Sequence, residues 1–134
     1  MIPLLIWDEL AALWDEGDFR TVHDWINERW SRVIQTSPQG DRDPFARFLQ
    51  GLAFAALAFH FAREQNTESA RLFVDDALAV LPNFAPLYAG VELNPIIDSL
   101  HALATALPGD GSDMLIPDCA LVCGPLRFSS RVAL

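Results

Sequence analysis

The chain of 134 residues contains no lysine, only two cysteines and no long uninterrupted apolar run. Its cations are arginines scattered along the sequence, and the formal net charge is −9. Because an acidic chain without a cationic cluster repels phosphate backbones, the composition argues against nucleic-acid binding. Two cysteines make no disulfide framework, so we expect a reducing, cytoplasmic setting.

Signals for secretion and membrane insertion are also missing. The opening MIPLLIWDEL lacks the positive segment and the small-residue cleavage site of a signal peptide. The longest wholly apolar run, residues 51–59, is less than half of the ~20 residues needed to cross a bilayer. We therefore expect no membrane association.

What is present is a globular composition, 51% hydrophobic and 20% charged, with helical patterning. Five helices are predicted. The second runs from about residue 19 to the loop TSPQGDRD, and the others lie at about 4–16, 44–64, 67–81 and 94–107. Gly17 suits a helix end, and the later helices have capping candidates at Asp18, Asp43, Asn66 or Thr67, and Asn94. Pro44 and Pro95 follow two of these caps, at the first helical position.

The third helix is apolar nearly all round, so we expect the other helices to surround it. No alternating strand pattern appears before residue 110. The prediction is an all-α fold, a single-domain bundle of about five antiparallel helices around a central apolar helix, with an irregular C-terminal tail. Residues 1–107 form the helical domain, and residues 108–134 form a tail that packs on the bundle or on a partner.

The third and fourth helices carry small residues at the spacing of a tetratricopeptide hairpin, among them Ala58, Ala70 and Ala77. Gln65 stands where that pattern has a glycine. Such arrays need at least three stacked repeats, and only one hairpin fits here. The likeness therefore predicts close helix packing at Ala58 and Ala70 and does not predict a repeat protein.

Three stretches, WDEGDFRTVHDWINERW, LQGLAFAALAFH and QNTESA, resemble the family known as domain of unknown function 309. The matching positions are Gly17, Phe19, His23, Trp30, Gln50, Gly51, Leu52, His60, Asn66 and Ala70. The chain departs from the pattern where Asp24 and Asn27 replace glutamates and Phe54 replaces a glutamine. The resemblance implies an all-α fold but no established reaction.

The stretch VHDWINERW at residues 22–30 suggests a metal site only until its helical faces are assigned. The buried stripe of this helix is predicted to be Phe19, Val22, Ile26, Trp30 and Val33. His23 and Asn27 lie at its edge, whereas Asp24 and Glu28 are expected to point away from His23 into solvent. A zinc-protease helix needs a second histidine where Asn27 stands. His23 is then a core histidine held by amides, part of a ligand or metal site, or a surface residue.

Two further residue types bear on the site. Trp25 lies off the stripe and is expected to pack internally or to form a contact surface. Cys119 and Cys123, without a nearby histidine, make a weak zinc site, and we interpret them as small buried hydrophobic residues.

No catalytic triad, phosphate-binding loop or carboxylate pair appears, so the sequence favours a non-enzymatic protein without catalytic residues, metal or cofactor. We expect a helical protein-interaction module that binds a protein partner or itself, including a homodimer formed through the first helix or the tail. The alternative is a small-molecule or metal-binding protein with its site between the second and third helices, around His23 and His60. The candidate ligand-binding residues are His23, Asn27, Trp30, Gln50 and His60.

Overall fold

A computed structural model describes residues 7–107, 115–121, 123–124 and 127–128. Its helices are α1 Trp7–Glu16, α2 Phe19–Thr36, α3 Pro44–Arg63, α4 Thr67–Val80 and α5 Asn94–Ala106. Short 3₁₀ turns lie at Gly40–Arg42, Leu81–Asn83 and Asp118–Ala120. The predicted all-α fold is confirmed. The first turn predicted for the first helix, residues 4–6, and the tail segment 108–114 lie outside the described residues.

Most helix ends follow the local signals in the sequence. Gly17 takes φ 77° after α1, and the side chain of Asp18 accepts a hydrogen bond from Thr21 N at the start of α2. Asp43 caps α3, and Asn66 caps α4 in the same way. The first backbone N–H groups of a helix have no partner within it, so each cap accepts a hydrogen bond from donors that would otherwise have none.

The predicted cap of the fifth helix is wrong. Asn94 is the first residue of α5, and the residue before it, Leu93, already has helical dihedral angles and no side-chain cap. The Leu93 N–H is instead bonded to the Pro86 carbonyl oxygen at 2.9 Å. Pro95 in the first turn has no N–H, so one fewer donor is left for a cap to satisfy.

Helix α3 lies between α2 and α4 and is buried along most of its length. Its buried residues include three phenylalanines without solvent exposure or nearly so, Phe45, Phe48 and Phe59. The helix is long and apolar enough to cross a bilayer, but 67% of that window is buried inside the protein. Such burial is typical of a core helix.

A small antiparallel sheet corrects the expectation that no strand precedes residue 110. Strands β1 Leu87–Tyr88 and β2 Val91–Glu92 form a hairpin, turned by Ala89 and Gly90 at positive φ. Strand β3 Arg127–Phe128, from the tail, pairs with β2. Strands of two residues are too short to show an alternating pattern, so periodicity does not reveal them.

The described parts of the tail contact the helices and are not wholly irregular. Ile116 and Ala120 are buried in the main hydrophobic core. The Trp14 indole Nε1 of α1 donates a hydrogen bond to the Gly124 carbonyl oxygen at 3.0 Å. These contacts place residues 115–121 and 123–124 against the ends of several helices.

Candidate functional site

Four of the five candidate ligand-binding residues line one cleft between α2 and α3, with a volume of about 90 Å³. The polar or amphipathic members are His23, Asn27, Trp30 and Gln50, and the apolar members are Ile26, Ala53, Phe54 and Leu57. They meet because α2 and α3 are antiparallel neighbours and each contributes residues three or four apart along one face.

His60 is the candidate that the structure does not bring into this lining. Its Nε2 lies 3.4 Å from the Glu64 Oε2, and its ring packs edge to face on Phe61 with 5.0 Å between centroids. His60 follows Leu57, the last lining residue of α3, by nearly one turn. The expected grouping of His23 with His60 therefore has no contact that supports it.

Of the two acids expected to point away from His23, one does so and the other does not. The side chain of His23 is 28% exposed, and its Nδ1 lies 3.3 Å from the Asp24 Oδ1. Asp24 thus reaches His23, because two adjacent side chains at the edge of a helix can fold toward each other. His23 is partly buried, and its described side-chain partner is the Asp24 carboxylate, not an amide. Glu28, as expected, points away and binds Arg29 and Arg32.

The chemistry available in the cleft is limited by its size and its donors. A volume of about 90 Å³ is well below the roughly 300–1,000 Å³ of small-molecule pockets. Within the described ranges, no three histidine, cysteine, aspartate or glutamate side chains come together as metal ligands. The lining offers an imidazole and two amides beside an apolar floor, which suits one inserted side chain.

An apolar surface continues from the cleft across α3 to α4. Phe54, Leu57 and Phe61 are only partly buried on one side of α3. Phe73 of α4 stacks on Phe54 and Phe61, with 6.1 Å and 5.7 Å between ring centroids. Trp30 of α2, also partly buried, borders the other side. We call these five residues the open face.

Sequence reasoning did not identify the open face, although its signal was present. Helix α3 is apolar nearly all round, and one neighbour on each side leaves a strip of such a helix facing outward. Which strip stays open depends on where α2 and α4 pack, and this is not written in the periodicity of α3 itself.

A second pocket, of about 340 Å³, lies between the α2–α3 loop and β1. The Ser37 hydroxyl donates to the Asp43 Oδ2 at 2.7 Å, and this bond, with those from the Phe45 and Ala46 amides, lowers the pKa of Asp43 below its ordinary value of 3.8. Burial raises the pKa of Tyr88 above 10.0. The carboxylate is already engaged in capping α3, so the pocket offers no free acid for chemistry.

The two cysteines and Trp25 differ in how deeply they are buried. Cys119 is exposed, so its interpretation as a buried residue is wrong. Burial raises the pKa of the Cys123 thiol to about 12, which keeps it protonated at neutral pH. Trp25 packs internally as expected, and the Arg29 guanidinium lies 3.8 Å from the centre of its ring.

A sequence profile of the family described as domain of unknown function (DUF309) matches residues 7–73, half of the chain. No curated protein and no solved structure shows a significant match. The matched region includes α1, α2, α3 and the first half of α4, and therefore the whole cleft and the open face. The tail lies outside it.

Proposed function

The chain belongs to the DUF309 family, and we propose that it is a non-enzymatic, cytoplasmic protein-interaction module. Its open face takes the apolar side of a basic amphipathic helix from a partner protein. One side chain of that helix enters the cleft between α2 and α3.

The observation that carries this proposal is the partly exposed apolar strip on α3. Phe54, Leu57 and Phe61 recur at the spacing of one helical face, and Phe73 and Trp30 extend that strip on both sides. Apolar grooves between helices bind amphipathic helices through residues spaced three or four apart. Partly exposed aromatic residues at such a position are the type that contributes most binding energy in interfaces.

Charge supports a basic partner. The net charge of the chain is −9, and exposed acids lie beside the open face, Asp24 on α2 and Glu64 just after α3. Opposite charge around an apolar centre speeds association and disfavours wrong partners. A second copy of this chain meets this face with like charge, which argues against self-association here.

The alternative function, a small-molecule or metal site around His23, is favoured by the meeting of His23, Asn27 and Gln50 in one cleft. The same residues can instead bind the polar edge of a docked helix. Calorimetric titration with Zn²⁺ separates the two functions. Stoichiometric binding that perturbs the His23 ring in NMR spectra would establish the alternative.

The docking proposal is tested with a synthetic 18-residue helical peptide that has leucine on one face and lysine on the other. We expect binding to the full-length protein, followed by fluorescence anisotropy, and at least roughly tenfold weaker binding to Leu57→Asp, equivalent to about 1.4 kcal/mol. The charged side chain opposes burial of the peptide's leucines. Equal affinity for Leu57→Asp and the native chain would overturn the proposal.

Two controls make the result specific. Leu87→Asp places the same charge at an exposed leucine in β1 and should leave peptide binding intact. A matched peptide with glutamate in place of lysine should bind more weakly, and equal binding would exclude the basic partner. Far-UV circular dichroism verifies that each variant is folded.

A further inference from the structure

The tail is held to the bundle through its own backbone, beginning at Ile116. The Gln65 Oε1 accepts a hydrogen bond from the Ile116 N–H at 2.7 Å, and the Gln65 Nε2 donates to the Ile116 carbonyl oxygen at 3.4 Å. One side-chain amide thus satisfies both backbone groups of one tail residue. This is the pairing that a neighbouring strand would provide.

Arg63 holds the next part of the tail. Its Nε donates to the Leu121 carbonyl oxygen at 3.4 Å, and its guanidinium also donates to the Gly17 carbonyl oxygen at 2.8 Å. The guanidinium carbon lies 4.7 Å from the centre of the Phe19 ring. Because Arg63 is fixed by the α1–α2 turn and by an aromatic face, it is positioned for the tail in advance.

Gly124 is held through both its N–H and its carbonyl oxygen. The Trp14 Nε1 donates to its carbonyl oxygen at 3.0 Å, and its N–H donates to the Ser99 hydroxyl oxygen at 2.7 Å. The Ser99 hydroxyl in turn donates to the Pro95 carbonyl oxygen at 2.8 Å. We call the surface formed by Trp14, Arg63, Gln65 and Ser99 the tail groove.

Within the described parts of the tail, three positions set the strictest side-chain requirements, while Leu121 and Cys123 are partly buried against the core. Ile116 and Ala120 are buried, and a Cβ on Gly124 would lie 2.7 Å from the Pro95 carbonyl oxygen. The positions between, residues 117–119, are exposed. The groove therefore binds the backbone of the tail and favours isoleucine, alanine and glycine spaced four residues apart.

We propose that the tail groove is a peptide-binding site, occupied here by the chain's own residues 115–121 and 123–124 and open to the same segment of a second copy. The groove is separate from the open face, so this inference does not depend on the proposed function. Each hydrogen bond to the tail joins a bundle side chain to a tail backbone atom, and none requires that both belong to one chain. Exchange of such a segment between copies is a low-cost route to a dimer.

The experiment starts from the full-length protein with a protease recognition sequence inserted after Gly111. The folded protein is cut, and a labelled synthetic peptide with the sequence of residues 113–128 is added. We expect the cut tail to co-elute with the bundle in gel filtration and the peptide to replace it in a dose-dependent way. Far-UV circular dichroism should show unchanged helix content.

Peptide variants test the recognition pattern. A peptide with Gly124→Ala should compete at least roughly tenfold less well, about 1.4 kcal/mol, because its Cβ meets backbone that cannot move aside. The matched control, Asp118→Ala at an exposed position, should compete like the native peptide. Equal competition by both variants would contradict the assigned contacts.

Three results would overturn the proposal. Immediate separation of the tail from the bundle after cutting would show that the groove does not bind it as a peptide. It would equally fail if the helices unfold when the tail is displaced, since the tail would then be an integral part of the core. Failure of a hundredfold excess of the native peptide to replace the cut tail would have the same meaning.

Discussion

At the scale of single residues, Gln65 combines a strained backbone with a structural side chain. It has φ 60°, and its N–H bonds the Ala62 carbonyl oxygen while the next N–H, of Asn66, bonds that of Phe61. This arrangement ends a helix most readily at glycine. A residue with a side chain is accommodated there because its amide binds Ile116 in the tail.

Two substitutions separate these roles of Gln65. Gln65→Ala loses the bonds to Ile116 and keeps the unfavourable φ, so we expect a loss of ~1–3 kcal/mol in the free energy of unfolding. Gln65→Gly loses the same bonds but relieves ~1–2 kcal/mol of backbone strain. In urea titrations the glycine variant should be the more stable of the two. The reverse order would show that the backbone at residue 65 is not strained.

His23 is expected to matter for binding more than for stability. Its imidazole is partly exposed and pairs with the exposed carboxylate of Asp24, and such surface pairs contribute ~0–1 kcal/mol. His23→Ala should therefore shift the free energy of unfolding by less than about 1 kcal/mol. Its affinity for the basic probe peptide should fall. A large stability loss measured by urea unfolding would restore a core role for this residue.

The hydrogen bonds of Asp43 predict that the folded state becomes less stable in acid. The Ser37 hydroxyl and two backbone amides lower the pKa of Asp43 below 3.8 in the folded state. The unfolded chain therefore takes up this proton at higher pH than the folded chain, so the stabilisation is present above about pH 4 and is lost as pH falls through the folded-state pKa.

Ser37→Ala removes the strongest of these hydrogen bonds and tests the assignment. The variant should lose less stability between pH 4 and the acid limit than the native protein, because its Asp43 pKa lies nearer to the ordinary value. Urea unfolding at a series of pH values measures this difference. Parallel stability curves for the two proteins would mean that Ser37 does not control Asp43.

At the scale of elements, the α3–α4 hairpin depends on small residues. Ala58 and Ala70 are fully buried, and a Cβ on Gly51 would lie 2.8 Å from a methyl carbon of Leu81. We expect Ala58→Leu and Ala70→Leu each to cost ~1–3 kcal/mol by overpacking. The control Ala79→Leu adds the same volume at an exposed position of α4. Unchanged melting temperatures in both buried variants would place the close crossing elsewhere.

Local sequence signals predicted where helices begin and end better than they predicted which parts of the chain contact each other. Asp43 followed by proline marks the start of α3 because capping uses atoms only two or three residues away. The cap of α5 was misassigned because the residue before the helix, Leu93, is bonded to Pro86. That bond lies beside a hairpin too short to detect from the sequence. In the same way, the helical period of α2 placed His23 at an edge but could not show that Asp24 folds toward it.

At the scale of the whole molecule, the candidate site was predicted in part. Helical faces and the order of helices were enough to suggest that His23, Asn27, Trp30 and Gln50 meet, and they line one cleft. His60 was grouped with them because it also lies on α3, but the extent of the α2–α3 contact is a tertiary property. The tail groove joins side chains from three helices and from the α3–α4 turn, and no local pattern specifies it.

The homodimer stays a prediction, and the structure restricts its form. Trp14 of α1 already binds the tail at Gly124 within one chain, so a dimer that forms this bond between copies requires exchange of the tail. Light scattering over a dilution series should show a dimer that dissociates slowly on dilution. A monomer mass at the highest concentration would contradict the prediction.

The bond between Trp14 and Gly124 also has a consequence for the time course of folding. It joins residues separated by 110 positions, whereas α2, α3 and α4 pack on their neighbours in sequence. Closing a long loop costs entropy that local contacts avoid, so the hairpins should form first and the tail should dock on an already helical chain. Stopped-flow recordings should then show helical circular dichroism returning before Trp14 fluorescence reaches its native value.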